Sequence, residues 1–169
     1  MMTPLTHRRY GAIHGVIALG IAGGVVVADY ISKVLILETF LPRPFMAIDV
    51  FPHVDFVFVL NRGVSFGMLA QWAIPPWALG AFAWGAALGL ILWAAMQRHK
   101  PFVYALAMIA GGAFGNGMDR FLYGAVVDFI DVTLWGGYHW PAFNIADTAI
   151  TCGALLFVIH DIRMRHTKH

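Results

Sequence analysis

The chain has 169 residues, of which 60% are hydrophobic and 12% charged. That is about half the ~25% charged fraction of a soluble domain, which excludes an ordinary water-soluble globule and points to an integral membrane protein. A net charge of +2, with no Lys/Arg run and no interleaving of basic and aromatic residues, excludes nucleic acid as a partner. Cys152 is the single cysteine, so no internal disulfide can form.

In chain order, residues 11–31 are the first run able to cross a hydrocarbon core, which takes ~20 mostly apolar residues. The run follows Arg8 and Arg9, but its apolar core is too long for a secretory signal and no A-x-A cleavage site follows, so it is expected to stay attached. Asp29 and Lys33 stand i,i+4 on one face at its outer end, as an ion pair would. His14, inside the run, reads as a packed or snorkelling group. Residues 53–66 (HVDFVFVLNRGVSF) alternate apolar and β-branched or aromatic types before Gly63, which predicts short strands with a turn and brings Asn61 with them.

Residues 74–96 and 101–118 form the second and third spans, joined by a tight turn holding Arg98 and Lys100. The third ends in GGAFGNGMDR, which sets Asn116 and Arg120 i,i+4 apart. Residues 125–132 (AVVDFIDV) are strand-like and too short to cross. In a strand, Asp128 and Val126 share one face while Val127 and Phe129 share the other, so this aspartate on an apolar strand needs a partner. Asp119 and Asp131 are expected to face solvent or to pair with Arg120. His139 reads as an interfacial anchor that could touch substrate. The fourth span, residues 143–162, opens with FNIAD, so Asn144 and Asp147 share a helix face at i,i+3, with Asp147 in the first turn, where free amides favour a carboxylate. Cys152, about a turn further, reads as a small packing residue.

If each run crosses, Arg8, Arg9, Arg98, Lys100, Arg163, Arg165 and Lys168 all lie on one side, which is cytoplasmic by the positive-inside rule. Both termini are then cytoplasmic, and every acidic residue except Asp161 falls on the outer half. Trp72, Trp77, Trp135, Tyr138 and Trp140 flank the outer ends as an aromatic belt. The spacings Gly11/Gly15, Gly20/Gly24, Gly85/Gly89 and Gly111/Gly115 suit close helix packing. The expected fold is an all-α integral membrane protein. It has four transmembrane helices and a small extracytoplasmic β element, in one unit over residues 1–169, with outer-face segments at about 38–70 and 120–142.

This topology gathers Asp128, Asp147, Asn116, Arg120 and Asn144 at one membrane face, and ionisable groups at membrane depth read as a functional site. Two carboxyl groups sharing a desolvated site hold one proton between them. One can then take a proton from a water attacking a peptide carbonyl, while the other protonates the leaving amine, with Asn144, Asn116 and Arg120 holding pair and substrate. A coupled pair titrates as a unit, so the two roles are not divided between the aspartates here. A Ser/Lys hydrolase is disfavoured because Ser32 and Lys33 point to different helix faces, and Ser65 is the other candidate nucleophile. A metal hydrolase lacks an HExxH or other His-rich pattern. A GxGD intramembrane protease is disfavoured because GNGMD misplaces the aspartate. The alternative is a small proton-coupled transporter or channel with the acidic residues as a relay, which expects polar groups spread through the bilayer depth.

The boxes Asp29-x-x-x-Lys33, Asn61-x-Gly63-x-x-Phe66-Gly67, Gly112-Ala113-x-Gly115-Asn116-x-x-Asp119-Arg120, Val126-Val127-Asp128-Phe129-Ile130-Asp131 and Phe143-Asn144-x-Ala146-Asp147 closely resemble, in order, those of the bacterial lipoprotein signal peptidases, or signal peptidase II. The resemblance implies Asp128 and Asp147 as the catalytic dyad. It implies supporting or substrate-binding roles for Asp29, Lys33, Asn61, Gly63, Asn116, Arg120 and Asn144. The expected protein is a monomeric aspartic endopeptidase of the inner membrane, using no metal or cofactor. Its partners would be membrane lipids and prolipoproteins carrying diacylglycerol on the lipobox cysteine, cleaved just before that cysteine.

Overall fold

The structure, a computed structural model, describes residues 4–63 and 74–166, with side chains from residue 11 onward. Arg8, Arg9, Ser65, Phe66, Gly67, Trp72 and Lys168 lie outside the described side chains. Helix α1 (Pro4–Phe40) has 37 residues and continues well past the expected end at residue 31. Lys33, beyond that bound, is satisfied within the helix by Asp29 one turn earlier, and the helix runs on to Phe40, just before Leu41 and Pro42. Helices α2 (Pro76–Met96) and α3 (Lys100–Leu122) each begin with a proline in the first turn, where the missing amide costs nothing, and only residues 97–99 join them. Helix α4 spans Ile145–His166.

Four strands form one antiparallel sheet in the order β1 (Ile48–Phe51), β2 (Val54–Asn61), β3 (Val126–Thr133) and β4 (His139–Phe143). β2 and β3 answer to the two strand-like segments. β1 and β4 were not expected: β1 is only 4 residues long, and β4 contains Pro141, tolerated because β4 is an edge strand. Phe143 therefore closes a strand rather than opening the last helix.

By length and composition, Gly11–Phe40 of α1, α2 and α4 are long and apolar enough to cross a membrane. They leave large apolar side chains such as Leu19, Phe82, Leu88 and Leu155 exposed, as lipid contact requires. α3 packs against all three other helices. Its buried residues are mostly small, but include Asn116 and Asp119.

Two apolar clusters hold the chain together. Ala18, Ala94, Val103, Leu106 and Ala107 join α1, α2 and α3. Ile36 and Phe40 at the end of α1 pack with Val127 and Phe129 of β3, so the sheet is seated on α1. Full burial of such side chains is worth roughly 1.5–3 kcal/mol each, which anchors the sheet more firmly than hydrogen bonds at its edges. The period-2 alternation expected of β3 is present: Val127 and Phe129 enter this cluster, and Val126 and Asp128 turn to the opposite side.

Of the four glycine pairs, Gly111/Gly115 makes the close approach. A Cβ on Gly111 would stand 2.7 Å from Ala22 O, and one on Gly115 would stand 2.6 Å from Asp29 Oδ2. Gly11 and Gly15 meet Ala95 at ordinary distances, while Gly20/Gly24 and Gly85/Gly89 have nothing within 4 Å. Gly115→Ala is therefore expected to destabilise the protein by about 1–3 kcal/mol, as overpacking does. Gly85→Ala, with open space for the methyl group, should leave stability unchanged or raise it by up to about 1 kcal/mol, as removing a helix-interior glycine does. Thermal unfolding of both variants in detergent tests the contrast.

Candidate active site

Helix α4 begins with a reciprocal cap. Asn144 Oδ1 accepts the Asp147 N–H at 2.9 Å, and the Asn144 N–H donates to Asp147 Oδ2 at 3.3 Å. This uses two of the free donors at a helix start. It is the structural role that position alone gave Asp147. The same asparagine does something else: its Nδ2, fully buried, donates to Asp128 Oδ1 at 2.7 Å and lies within 3.2 Å of Val127 O. One residue thus holds both aspartates.

The remaining carboxyl oxygens are also met by amides. Asn61 Nδ2, from the end of β2, donates to Asp128 Oδ2 at 3.0 Å, while Asn61 Oδ1 accepts the Gly63 N–H at 3.1 Å. Asn116 Nδ2, from α3, donates to Asp147 Oδ1 at 2.8 Å. Asn116 Oδ1 in turn accepts from Asn144 Nδ2 at 3.0 Å and from Lys33 Nζ at 3.2 Å.

Beneath lies a buried ionic cluster. Lys33 Nζ is 2.7 Å from Asp29 Oδ2 and 2.8 Å from Asp119 Oδ2, with all three side chains almost wholly removed from solvent. The expected Asp29–Lys33 pair is present. Asp119 departs from expectation: it neither faces solvent nor pairs with Arg120, but joins Lys33 and accepts the Val127 N–H at 3.0 Å. Its spacing of three residues from Asn116 puts both on one face of α3, a signal available in the sequence. Arg120 lines the cavity and donates to its own helix at Asn116 O, 2.9 Å away. Asp131, the other aspartate offered to Arg120, bonds His139 Nδ1 at 2.6 Å at the sheet surface. Among the described residues, the buried polar groups other than His14 gather around Lys33 and the two amide-held acids rather than spreading along the helices. His14 is packed, with Nδ1 2.7 Å from Gln97 O.

Asp128 and Asp147 open onto a cavity of about 550 Å³ bordered by Asn61, Gly63, Asn116 and Arg120. It continues along α4 past Thr148 and Thr151, with β4 residues 140–143 on the other side. Cys152, expected to be packed, is exposed and lines this cavity. Among the described residues no three His, Cys, Asp or Glu side chains converge as a metal ligand set. Asp128 is 2% exposed. Burial pushes its carboxyl up to about 6, helped by the charge of Asp147 and opposed by the Asn61 and Asn144 amides and by Lys33. An acid with that affinity exchanges a proton near neutral pH, as acid–base chemistry requires.

A helical membrane protein with two amide-held carboxyl groups at an open cavity has the equipment of a membrane hydrolase. The sequence model of the family described as signal peptidase (SPase) II matches residues 21–163. A lipoprotein signal peptidase of Paraburkholderia phymatum is 42% identical, over 86% of this chain and 87% of its own. One from Burkholderia vietnamiensis is 43% identical over the same shares. Two solved structures described as bacterial membrane enzymes align with TM-scores of 0.71 and 0.70 at 28% and 29% identity. They cover 90% and 85% of this chain, and 92% and 91% of their own. The chain belongs to the signal peptidase II family, a family of membrane peptidases.

Because Asp128 holds its proton more tightly in the folded chain than its ordinary value of 3.8 allows, its contribution to stability is complete below that pH and lost as the pH rises through about 6. Asp128→Asn escapes this loss. The melting temperature of the variant relative to the parent should therefore rise between pH 5 and pH 8, by the equivalent of on the order of 1–2 kcal/mol. A difference that stays flat with pH would contradict the assignment.

Proposed function

We propose that the chain is an aspartic endopeptidase that removes the signal peptide from diacylglyceryl-modified prolipoproteins, cleaving before the lipidated cysteine. The single observation that carries the catalytic assignment is that Asn144 touches both Asp128 and Asp147, so the two acids share one small site at the cavity. Peptide hydrolysis needs a water made nucleophilic on one side of the carbonyl and a proton supplied to the leaving nitrogen on the other. Two carboxyl groups sharing one proton supply both. The ionised member takes the water proton as the oxygen attacks. The protonated member hydrogen-bonds the developing oxyanion and then protonates the departing amine, which leaves each acid in the other's starting state. Asn61, Asn116 and Asn144 hold the carboxyls by amide donors, so little reorganisation accompanies the charge movement. Arg120 and Gly63, on the cavity wall, are placed to meet the substrate backbone.

The same reading sets all four helices across the inner membrane, α3 included, as one monomeric unit with both termini cytoplasmic. Arg98, Lys100, Arg163 and Arg165 lie at the ends of helices remote from the acids, in keeping with the positive-inside rule. The exposed Trp77, Trp135, Tyr138 and Trp140 at the acid end suit the outer lipid interface, where a lipid-anchored precursor presents its cleavage site.

Asp128→Asn and Asp147→Asn are each expected to remain folded and to lower processing of a diacylglyceryl-modified precursor by about a hundred- to ten-thousand-fold, the share carried by acid–base catalysis. Chelators should leave the parent rate unchanged. Retained cleavage by either variant in purified form would remove that residue from the chemistry.

A further inference from the structure

Each oxygen of the Asp29 and Asp119 pair that accepts a backbone amide does so at a telling position. Asp29 Oδ1 accepts the N–H of Ala146, the residue before Asp147, at 2.9 Å. Asp119 Oδ2 accepts the N–H of Val127, the residue before Asp128, at 3.0 Å. Both carboxylates are gripped by the same buried ammonium group, and the third contact of that group is Asn116 Oδ1, whose amide nitrogen holds Asp147. We propose that Lys33 is the positioning residue of the peptidase site, setting the spacing of the two acids through Asp29 and Asp119 and the orientation of the Asn116 amide by direct donation. This rests on the reading of Asp128 and Asp147 as the catalytic pair.

The two ends of an asparagine amide have nearly the same shape, so its neighbours decide which end faces which way. Asn116 Oδ1 meets two donors, Lys33 Nζ and Asn144 Nδ2, while Asn116 Nδ2 meets a carboxylate oxygen. Reversal would set an NH₂ group against both donors and a carbonyl against Asp147. Asn144 is the weaker guard of this orientation, because its two Nδ2 hydrogens are shared among Asp128 Oδ1, Asn116 Oδ1 and Val127 O. Lys33 has three N–H donors, no acceptor, and one acceptor for each donor: Asp29, Asp119 and Asn116. It is the partner of Asn116 whose polarity cannot change and whose protons are not contested. The geometry also explains why α3 carries glycine at 115: a side chain there would meet Asp29 Oδ2 at 2.6 Å and push it from the ammonium.

Lys33 touches neither acid directly, so its loss should lower turnover without loosening substrate binding. The test uses purified full-length enzyme in detergent with a diacylglyceryl-modified precursor peptide, comparing Lys33→Met, Lys33→Gln and the double variant Lys33→Met/Asp119→Asn. The single Met variant strands two buried carboxylates and can fail to fold for that reason. The double variant keeps the net buried charge of the parent cluster at minus one and keeps an oxygen for the Val127 N–H, while removing the donor to Asn116. Expected are a fall in kcat of about ten-fold or more in the folded Met variants, KM within about two-fold of the parent, and partial recovery of kcat in Lys33→Gln, which restores an uncharged donor. Unchanged kcat per folded molecule, a loss carried by KM, absence of recovery with glutamine, or failure of all three variants to fold would overturn the proposal and leave Lys33 a structural group. Asp147→Asn run alongside separates the two readings. If it is inactive while the Lys33 variants turn over normally, only the positioning inference fails; if it cleaves, the catalytic pair fails and the inference falls with it.

Discussion

The site depends on one side chain serving two elements at once. Asn144 caps α4 through its oxygen and holds the strand-borne Asp128 through its nitrogen. A cap alone tolerates serine, threonine or aspartate. Holding a carboxylate alone needs any donor. Doing both from one buried position needs an amide, with its acceptor and donor ends in fixed relation. The orientation that satisfies the cap is the one that presents NH₂ to Asp128. Helix start and acid pair are thereby coupled, and a residue that reads as ordinary capping becomes the joint between the two aspartates at the cavity.

Around this contact the chain places a polar layer between two apolar clusters. Burying Asp29, Lys33 and Asp119 carries a desolvation cost, and removing one member of such a group typically costs about 3–5 kcal/mol because the others are left uncompensated. A surface pair is worth little, about 0–1 kcal/mol. The disparity means the cluster is intolerant of partial loss, which suits a frame that must hold α1, α3, the start of α4 and the approach to Asp128 in one arrangement. The sheet contributes by apolar means: Val127 and Phe129 are locked onto Ile36 and Phe40, which leaves Asp128 turned to the cavity by the period of the strand.

Several residues show where sequence reading stops. The Asp29–Lys33 pair was legible because helix geometry brings i and i+4 together wherever the helix lies. The face-sharing of Asn144 and Asp147 was legible for the same reason. Asp119 was not, since its partner lies on another helix 86 positions away and local spacing offered Arg120 as the nearer cation. Asp131 likewise found His139 across a hairpin rather than Arg120. Strands β1 and β4 carry too few residues, and too weak a pattern, to declare themselves without the neighbours they pair with. Cys152 lies on α4 at a position whose packing or exposure depends on the cavity beside it.

The residues alone determined the membrane class, the runs that become helices, the strand character of the segments around Asn61 and Asp128, and the shared helix faces of Asp29 with Lys33 and of Asn144 with Asp147. Each of these follows from composition or from a period of 3.6 or 2. Only tertiary structure decided which partners those groups take: that Asn144 bridges both acids, that Lys33 collects Asp29, Asp119 and Asn116, and that α3 lies among the other helices. Hydrogen bonds across elements depend on the close approach of backbones, and here that approach is set by glycines packed against α1 and α4 at distances no sequence period encodes.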